Sequence, residues 1–179
     1  FGIYTPILKT IAFDAPKGFI RPTKSDAKWH VSDSELVFAG FDTIAESLRG
    51  GGTILIIVDE AGFVNPDEFE YVTKSILYPM LQKTIGKGQG RQIYISTPAK
   101  TPDHPFNILF ELEKDENRLQ IYTIYDNPVL TKEDIQEIIK EQGGDTSIGF
   151  RREYLCENVR DTGGLIIPKF EQKHITVTS

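Results

Sequence analysis

One cysteine, Cys156, is all that this chain of 179 residues contains, so an internal disulfide and a cysteine-rich zinc site are both excluded. An intracellular setting is the simpler expectation. No apolar run approaches the roughly 20 residues of a membrane span, and no signal-peptide pattern is present, so we expect no membrane association. An excess of positive charge is also missing. Twenty Lys and Arg against 26 Asp and Glu leave a formal charge of −6, which excludes a surface that is wholly a nucleic-acid footprint. A local basic patch, or a partner domain that holds DNA, stays compatible with that balance. There is no internal repeat and no low-complexity block. The first residue is Phe1 rather than methionine, and we expect a fragment or a processed product.

What is present suits one domain with a real core and a short appendage: 39% apolar and 26% charged residues over 179 positions. Ten prolines and fifteen glycines supply many turns without a disordered linker. The segment at 3–13, IYTPILKTIAF, is apolar with little period, and its class stays open. Trp29-His30-Val31, a turn at Ser32-Asp33-Ser34, and ELVFAG read as a hairpin over 29–39. TIAESL, 43–48, reads as one helical turn or two, stopped by Gly50, Gly51 and Gly52. Asn65-Pro66-Asp67 can open a helix whose face is Phe69, Val72, Ile76, Met80 and Leu81, running to about residue 84 with a kink or break at Pro79.

GKGQG is a loop, RQIYIS at 91–96 a second strand, and PFNILFELEK a helix with Pro105 in its first turn. RLQIYTIYD, 118–126, alternates as a third strand would. Thr131 with Asp134 forms a capping-box pattern for a helix that Gly143 or Gly144 stops. A further helix is expected from Ser147 to about Glu157, and the tail, LIIPKF and HITVTS, has extended character. Strands at 53, 91 and 118 separated by helical or loop segments imply crossover connections, hence an α/β domain with a mainly parallel sheet.

The stretch TILIIVDEAG, 53–62, ends an apolar strand in two carboxylates. The run at 54–58 suits an interior parallel strand, and ligands of such sheets gather beyond the carboxyl ends of the strands. Asp59 and Glu60 lie at one such end, Ser96 and Thr97 at another. Nucleotide hydrolysis has a use for both acids. One can hold the magnesium shell at the phosphates, and the other can polarise the attacking water. A pair of solvated acids opening a loop explains Asp59 and Glu60 equally well. Ser96, Thr97 and Pro98 likewise read either as a phosphate-sensing tip or as an ordinary strand-to-loop cap.

Taken in order, LRGG, ILIIVDEAGFV, QIYISTPAK, IYDNPVLTKEDIQEI and FRREYLCENV resemble the large terminase subunit of tailed double-stranded DNA bacteriophages, over about residues 29–170. VDEA resembles that family's Walker B segment, which implies Asp59 for magnesium and Glu60 for water activation. STP resembles its coupling motif, which implies nucleotide contact and coupling at Ser96 and Thr97. The resemblance implies a partial P-loop NTPase-like (ASCE-type) three-layer domain at 1–145, and at 146–179 a helix and extended linker leading toward a nuclease domain. It implies Mg2+ and ATP as cofactors, and double-stranded DNA, the portal protein and the small terminase subunit as partners, with a homo-oligomer during packaging. The setting it implies is the cytoplasm of an infected bacterium and the portal vertex of the procapsid.

The sequence departs from the family in having no GxxxxGK[ST] phosphate loop. IGKGQG follows the Walker B strand and lacks the hydroxyl residue, and PTKSD has no glycine cradle. The chain by itself is therefore expected to hydrolyse ATP poorly or not at all. Two alternatives stand beside a packaging motor. One is another nucleic-acid-stimulated ATPase or helicase, the other a degenerate ATPase-like interaction domain.

Arg49, ahead of three glycines, is a candidate for phosphate or a neighbouring subunit, or simply a helix-ending arginine. Lys87 and Arg91 bracket a glycine-rich loop that reads as solvated or as touching DNA backbone. Arg151, Arg152 and Glu153 are explained by ion pairs on a helix surface. His30, His104 and His174 show no metal-ligand spacing. Trp29 and Phe38 read as hairpin packing, Tyr125 and Asn127 as turn residues, and Cys156 as a partly buried thiol of the last helix.

Overall fold

The computed structural model describes residues 9, 15–22, 28–41, 48–49, 51–82 and 90–159. Strands β1 (Ile20–Pro22), β2 (Lys28–Val31) and β3 (Ser34–Val37) form an antiparallel sheet in the order β1-β2-β3. The expected hairpin is β2–β3, with Val31 opposite Ser34. Ser32, in the two-residue turn, takes a left-handed conformation (φ 54°), as tight hairpin turns require. Trp29 is buried, and His30 on the alternate face is exposed.

The second sheet positions the site. Strand β4 (Leu55–Asp59) pairs in parallel with β5 (Arg91–Ile95), Ile57 opposite Ile93 and Asp59 opposite Ile95. The connection between them contains α1 (Pro66–Val72), a π turn (Thr73–Leu77) and α2 (Tyr78–Gln82). Asn65 caps α1 by accepting from the amides of Asp67 and Glu68, with Pro66 at the first helical position. The expected irregularity at Pro79 takes the form of the wide π turn just before it. A proline has no N–H to give to the preceding turn, and a wider turn makes room for its ring. Phe69, Val72, Ile76, Met80 and Leu81 are all buried, as their spacing requires. Phe69, Val72, Ile76 and Met80 join the inward face of the sheet in one core cluster, where Val58 is buried and Ile56 and Tyr94 are partly so. Burial pushes the Tyr94 phenol up to about 12.

The opposite face corrects the expectation of an interior strand. Leu55, Ile57, Ile93 and Ile95 share it and are exposed, Ile57 by 56%. Among the described residues the parallel sheet has two strands, and helices cover one side of it. An α/β arrangement with parallel pairing is present; the third strand expected at 118–126 is not. Residues 118–123 are irregular, and Ile124–Asp126 is a single 3-10 turn. Among the described residues the alternation at 118–126 finds no neighbouring strand. Thr123 instead makes a reciprocal cap with Asp126, which turns the backbone and buries Ile124. Ile121 and Tyr122 are left exposed.

Helix α3 (Pro105–Asp115) follows β5, and α4 (Lys132–Glu141) and α5 (Ile148–Glu153) complete the described chain. The last is shorter than expected. Tyr154 ends it, and Cys156 lies beyond it in a left-handed conformation (φ 54°), half-buried, where Sγ–H points at the Tyr122 carbonyl. Ile124, Ile135 and Phe150 form a second core cluster. No helix among the described residues is long and apolar enough to cross a membrane. The segments 3–8 and 10–13, TIAES at 43–47, the GKGQ loop and the tail from 160 lie outside the described residues, as does His174.

The capping box of α4 is as its pattern predicted. Thr131 Oγ1 donates to Asp134 Oδ2 at 2.7 Å and accepts from the Asp134 amide at 3.2 Å, while the Thr131 amide donates to the same carboxylate at 2.8 Å. These bonds, the hydroxyl's first, hold the Asp134 carboxyl below its usual range. A depressed native value stabilises the fold above the unfolded value, about 3.9, and that contribution is lost as pH falls through the native value. We expect the denaturation midpoint to fall below about pH 4 and to fall less in Asp134→Asn, as a pH series of melts would read. An equal slope in both proteins would refute it.

Candidate functional site

The parallel register places the ends of β4 and β5 side by side, so the residues that leave the strands, Glu60 and Ser96, start from adjacent points. Glu60 adopts φ 54° and ψ 35°, a left-handed conformation that bends the chain at once into the 3-10 turn Ala61–Phe63. Its amide donates to Asp59 Oδ1 at 3.1 Å. Both acidic side chains are exposed.

The two loops close on each other. The Gly62 amide donates to Ser96 Oγ at 3.0 Å, and Ala61, Gly62, Pro98 and Ala99 are buried between them. A Cβ at Gly62 would stand 2.6 Å from the Thr97 carbonyl oxygen, 3.0 Å from Ser96 Oγ and 3.2 Å from the Ala99 nitrogen. Two of those three atoms are backbone and cannot rotate away. We expect Gly62→Ala to cost about 1–3 kcal/mol through overpacking, read as a lower denaturant midpoint at unchanged m. Unchanged stability would mean that the loops separate freely.

The start of α3 clamps both loops. Asn107, 2% exposed, donates from Nδ2 to the carbonyls of Ala99 and Thr101, each at 3.0 Å, and accepts the Ala99 amide at 2.8 Å. His104 Nδ1 accepts the Phe106 amide at 3.0 Å. That amide can only donate, so Nε2 carries the proton and gives it to the Val64 carbonyl at 2.8 Å. One loop is thereby held by the imidazole and the other by the carboxamide.

Thr97 faces the other way. Its hydroxyl donates to Glu153 Oε2 on α5 at 3.0 Å, and Arg152 Nε donates to the second oxygen, Oε1, at 3.1 Å. Arg152 is buried, and Arg151 pairs with Glu157 at 2.6 Å. Ion pairs on this segment were expected; the link to Thr97 was not. Burial first, and then the nearby Glu153 carboxylate, raises the Cys156 thiol above its usual value. Arg49 lies against Tyr71 of α1, Nη2 donating to the phenol at 2.7 Å and the guanidinium 5.9 Å from the ring centre. The structure thus brings Ser96 to the loop that follows Asp59 and Glu60, and Thr97 to α5. Among the described residues no group of three or more His, Cys, Asp or Glu is placed to hold a metal ion.

Sequence reasoning passed over Gly62 and Asn107, and did not foresee the bonds that His104 makes to Val64 and Glu153 to Thr97. Asn107 carried a signal: it is a polar residue at the start of a helix between Phe106 and Phe110, on the stripe that becomes buried. Glu153 signalled only its ion pair with the adjacent Arg152, since its other partner, Thr97, is 56 residues away.

No curated protein and no solved structure gives a match to this chain. A family model described as "Terminase large subunit, T4likevirus-type, N-terminal" matches residues 8–173. That span holds the two strand tips, the loops between them and α5. The chain belongs to the terminase large-subunit family, within the N-terminal domain that in this family acts as a DNA-packaging ATPase.

Proposed function

We propose that Asp59 and Glu60 perform the hydrolytic chemistry of this domain and that Ser96 and Thr97 pass its outcome on to the movement of double-stranded DNA. The observation that carries the reading is the pairing of the tips: Asp59 opposite Ile95 in a parallel ladder, with the Gly62 amide on Ser96 Oγ at 3.0 Å. In open α/β sheets the crevice beyond the carboxyl ends of the strands is where ligands bind.

The donors present suit magnesium in the form it takes with nucleotides, one or two carboxylates and several waters rather than an all-protein cage. Asp59, exposed at the tip, offers that carboxylate. Bound magnesium and ATP would supply the reactive γ-phosphate and the charge that offsets its oxygens. Glu60 orients the attacking water and takes its proton on a carboxylate oxygen, and the left-handed bend at this residue supports a side chain aimed away from the strand course. The Ser96 hydroxyl, fixed by the Gly62 amide, retains its own proton for a phosphate oxygen. Arg49, seen against Tyr71, is the candidate cation for phosphate or for a neighbouring subunit.

The same reading assigns residues 1–145 to a P-loop NTPase-like three-layer domain and 146–179 to a helix and linker leading to a nuclease. Its partners are the portal protein and the small terminase subunit, in an oligomer at the portal vertex in an infected cell's cytoplasm. The test is ATP turnover stimulated by double-stranded DNA, measured on the complete gene product that carries this sequence. Turnover that DNA raises supports the motor. A folded, DNA-binding protein with no turnover would make this a degenerate ATPase domain.

A further inference from the structure

The tip of β5 is joined to α5 through one carboxylate that two donors hold from opposite oxygens. Thr97 Oγ1 donates to Glu153 Oε2, and Arg152 Nε donates to Oε1. Arg152 is 8% exposed, so a side chain fixed by packing keeps the carboxylate in place. A threonine hydroxyl has one proton to donate. While Glu153 holds it, Thr97 has none for a phosphate oxygen, so the two partners exclude each other. On the other side of the tip, Ser96 Oγ accepts the amide of Gly62, two residues after Glu60. Bonds therefore run from the acidic tip through Ser96 and Thr97 to α5. That helix in turn reaches the Ile124 turn through the Tyr154 carbonyl, which accepts the Ile124 amide at 2.9 Å.

We propose that Glu153 is a positioning residue for Thr97: its carboxylate competes with the nucleotide for the Thr97 hydroxyl and carries the resulting switch into α5. This rests on the reading of Ser96 and Thr97 as the coupling tip. With nucleotide absent, the hydroxyl belongs to Glu153 and the tip is latched to α5. When a phosphate oxygen takes the hydroxyl, the latch opens and α5 is released from the sheet. Loss of the phosphate restores it. Coupling between sites requires an element with two arrangements that both sites bias, and the shared hydroxyl is that element.

The experiment has two arms, both on the complete gene product. The first uses no nucleotide: unfolding of wild type, Thr97→Val, Glu153→Ala and the double variant. The effects of the single substitutions should not add, because either one removes the same bond. Additive losses would overturn the proposal. Should Glu153→Ala fail to fold because Arg152 is left unpaired, Glu153→Gln replaces it. The amide offers one acceptor for two donors, so partial non-additivity is expected and full additivity overturns the proposal.

The second arm measures base pairs moved per ATP hydrolysed. That ratio should fall about tenfold in Thr97→Val and in Glu153→Ala, no further in the double variant, and stay within about twofold of wild type in Thr97→Ser, which keeps the hydroxyl. A merely structural role would lower turnover and movement together and leave the ratio unchanged, which overturns the proposal. Glu60→Gln is run alongside. If it keeps full turnover, the functional reading fails and takes this inference with it. If it loses turnover while the effects at Thr97 and Glu153 multiply, this inference alone fails.

Discussion

Glu60→Gln is expected to leave the protein folded and to lower ATP turnover at least about 100-fold, the lower end of what a general base contributes. The substitution keeps the size and shape of the side chain. Glu60 is exposed, and no side-chain bond of it to another described residue is seen, so the stability change should fall within about 0.5 kcal/mol. Its backbone is left-handed, at φ 54°, and an isosteric replacement leaves that strain as it is. What changes is the ability to accept a proton: an amide oxygen accepts a hydrogen bond but is not basic near neutral pH. The measurement is DNA-stimulated phosphate release by the complete gene product, paired with thermal melts. Wild-type turnover in a folded Gln variant would remove Glu60 from the chemistry. Asp59 would then be the acid to test next.

Asn107→Ala should have the largest effect on stability, about 3 kcal/mol, because it strands backbone groups that water does not reach. The Ala99 amide and carbonyl lose their partners while Ala99 itself is 4% exposed, and the Thr101 carbonyl keeps only the His104 amide. Asn107→Leu keeps the branched shape of the side chain and should be nearly as damaging, since the orphaned partners belong to the main chain and cannot be replaced by apolar atoms. Denaturant unfolding reads the loss directly. Because the clamp shapes the loop after Ser96 and Thr97, turnover should fall in the fraction of molecules that remains folded. A loss below about 0.5 kcal/mol would show that the loop reorganises and finds other partners.

His104 offers a comparison that isolates the principle. It was read from spacing as a histidine with no metal, and its role is to join the loop after the acidic tip to α3 through the Val64 carbonyl. Phe69, packed 5.6 Å from its ring centre, places it at the edge of the main core. A histidine between Asp103 and Pro105 carries no spacing that announces such a task. The Phe106 amide is a local cap, two residues on, but the Val64 carbonyl is decided by which loop meets the N-terminus of α3.

The elements with local causes were legible in the residues. The hairpin rests on a two-residue turn, α1 on an asparagine cap and Pro66, α4 on a capping box, and the buried face of α1 and α2 on helical spacing. Each is set by neighbours within a few positions, where the chain's own geometry does the selecting. RLQIYTIYD misled for the same reason in reverse. Alternation describes a strand, but a strand also needs a partner edge, and here the cap between Thr123 and Asp126 prevailed.

Composition, period and capping thus determined the α/β character, most of the helices, the two parallel strands and the acids at the end of one of them. Only the tertiary structure decided that the second tip meets the first through Gly62, that Asn107 and His104 hold the loops, and that Thr97 belongs to Glu153. It also decided that one face of the parallel pair stands exposed. The physical reason is range. Backbone geometry and side-chain period act over a few residues, whereas a hydrogen bond between residues 34 or 56 positions apart depends on how whole elements pack, which no short stretch of sequence encodes.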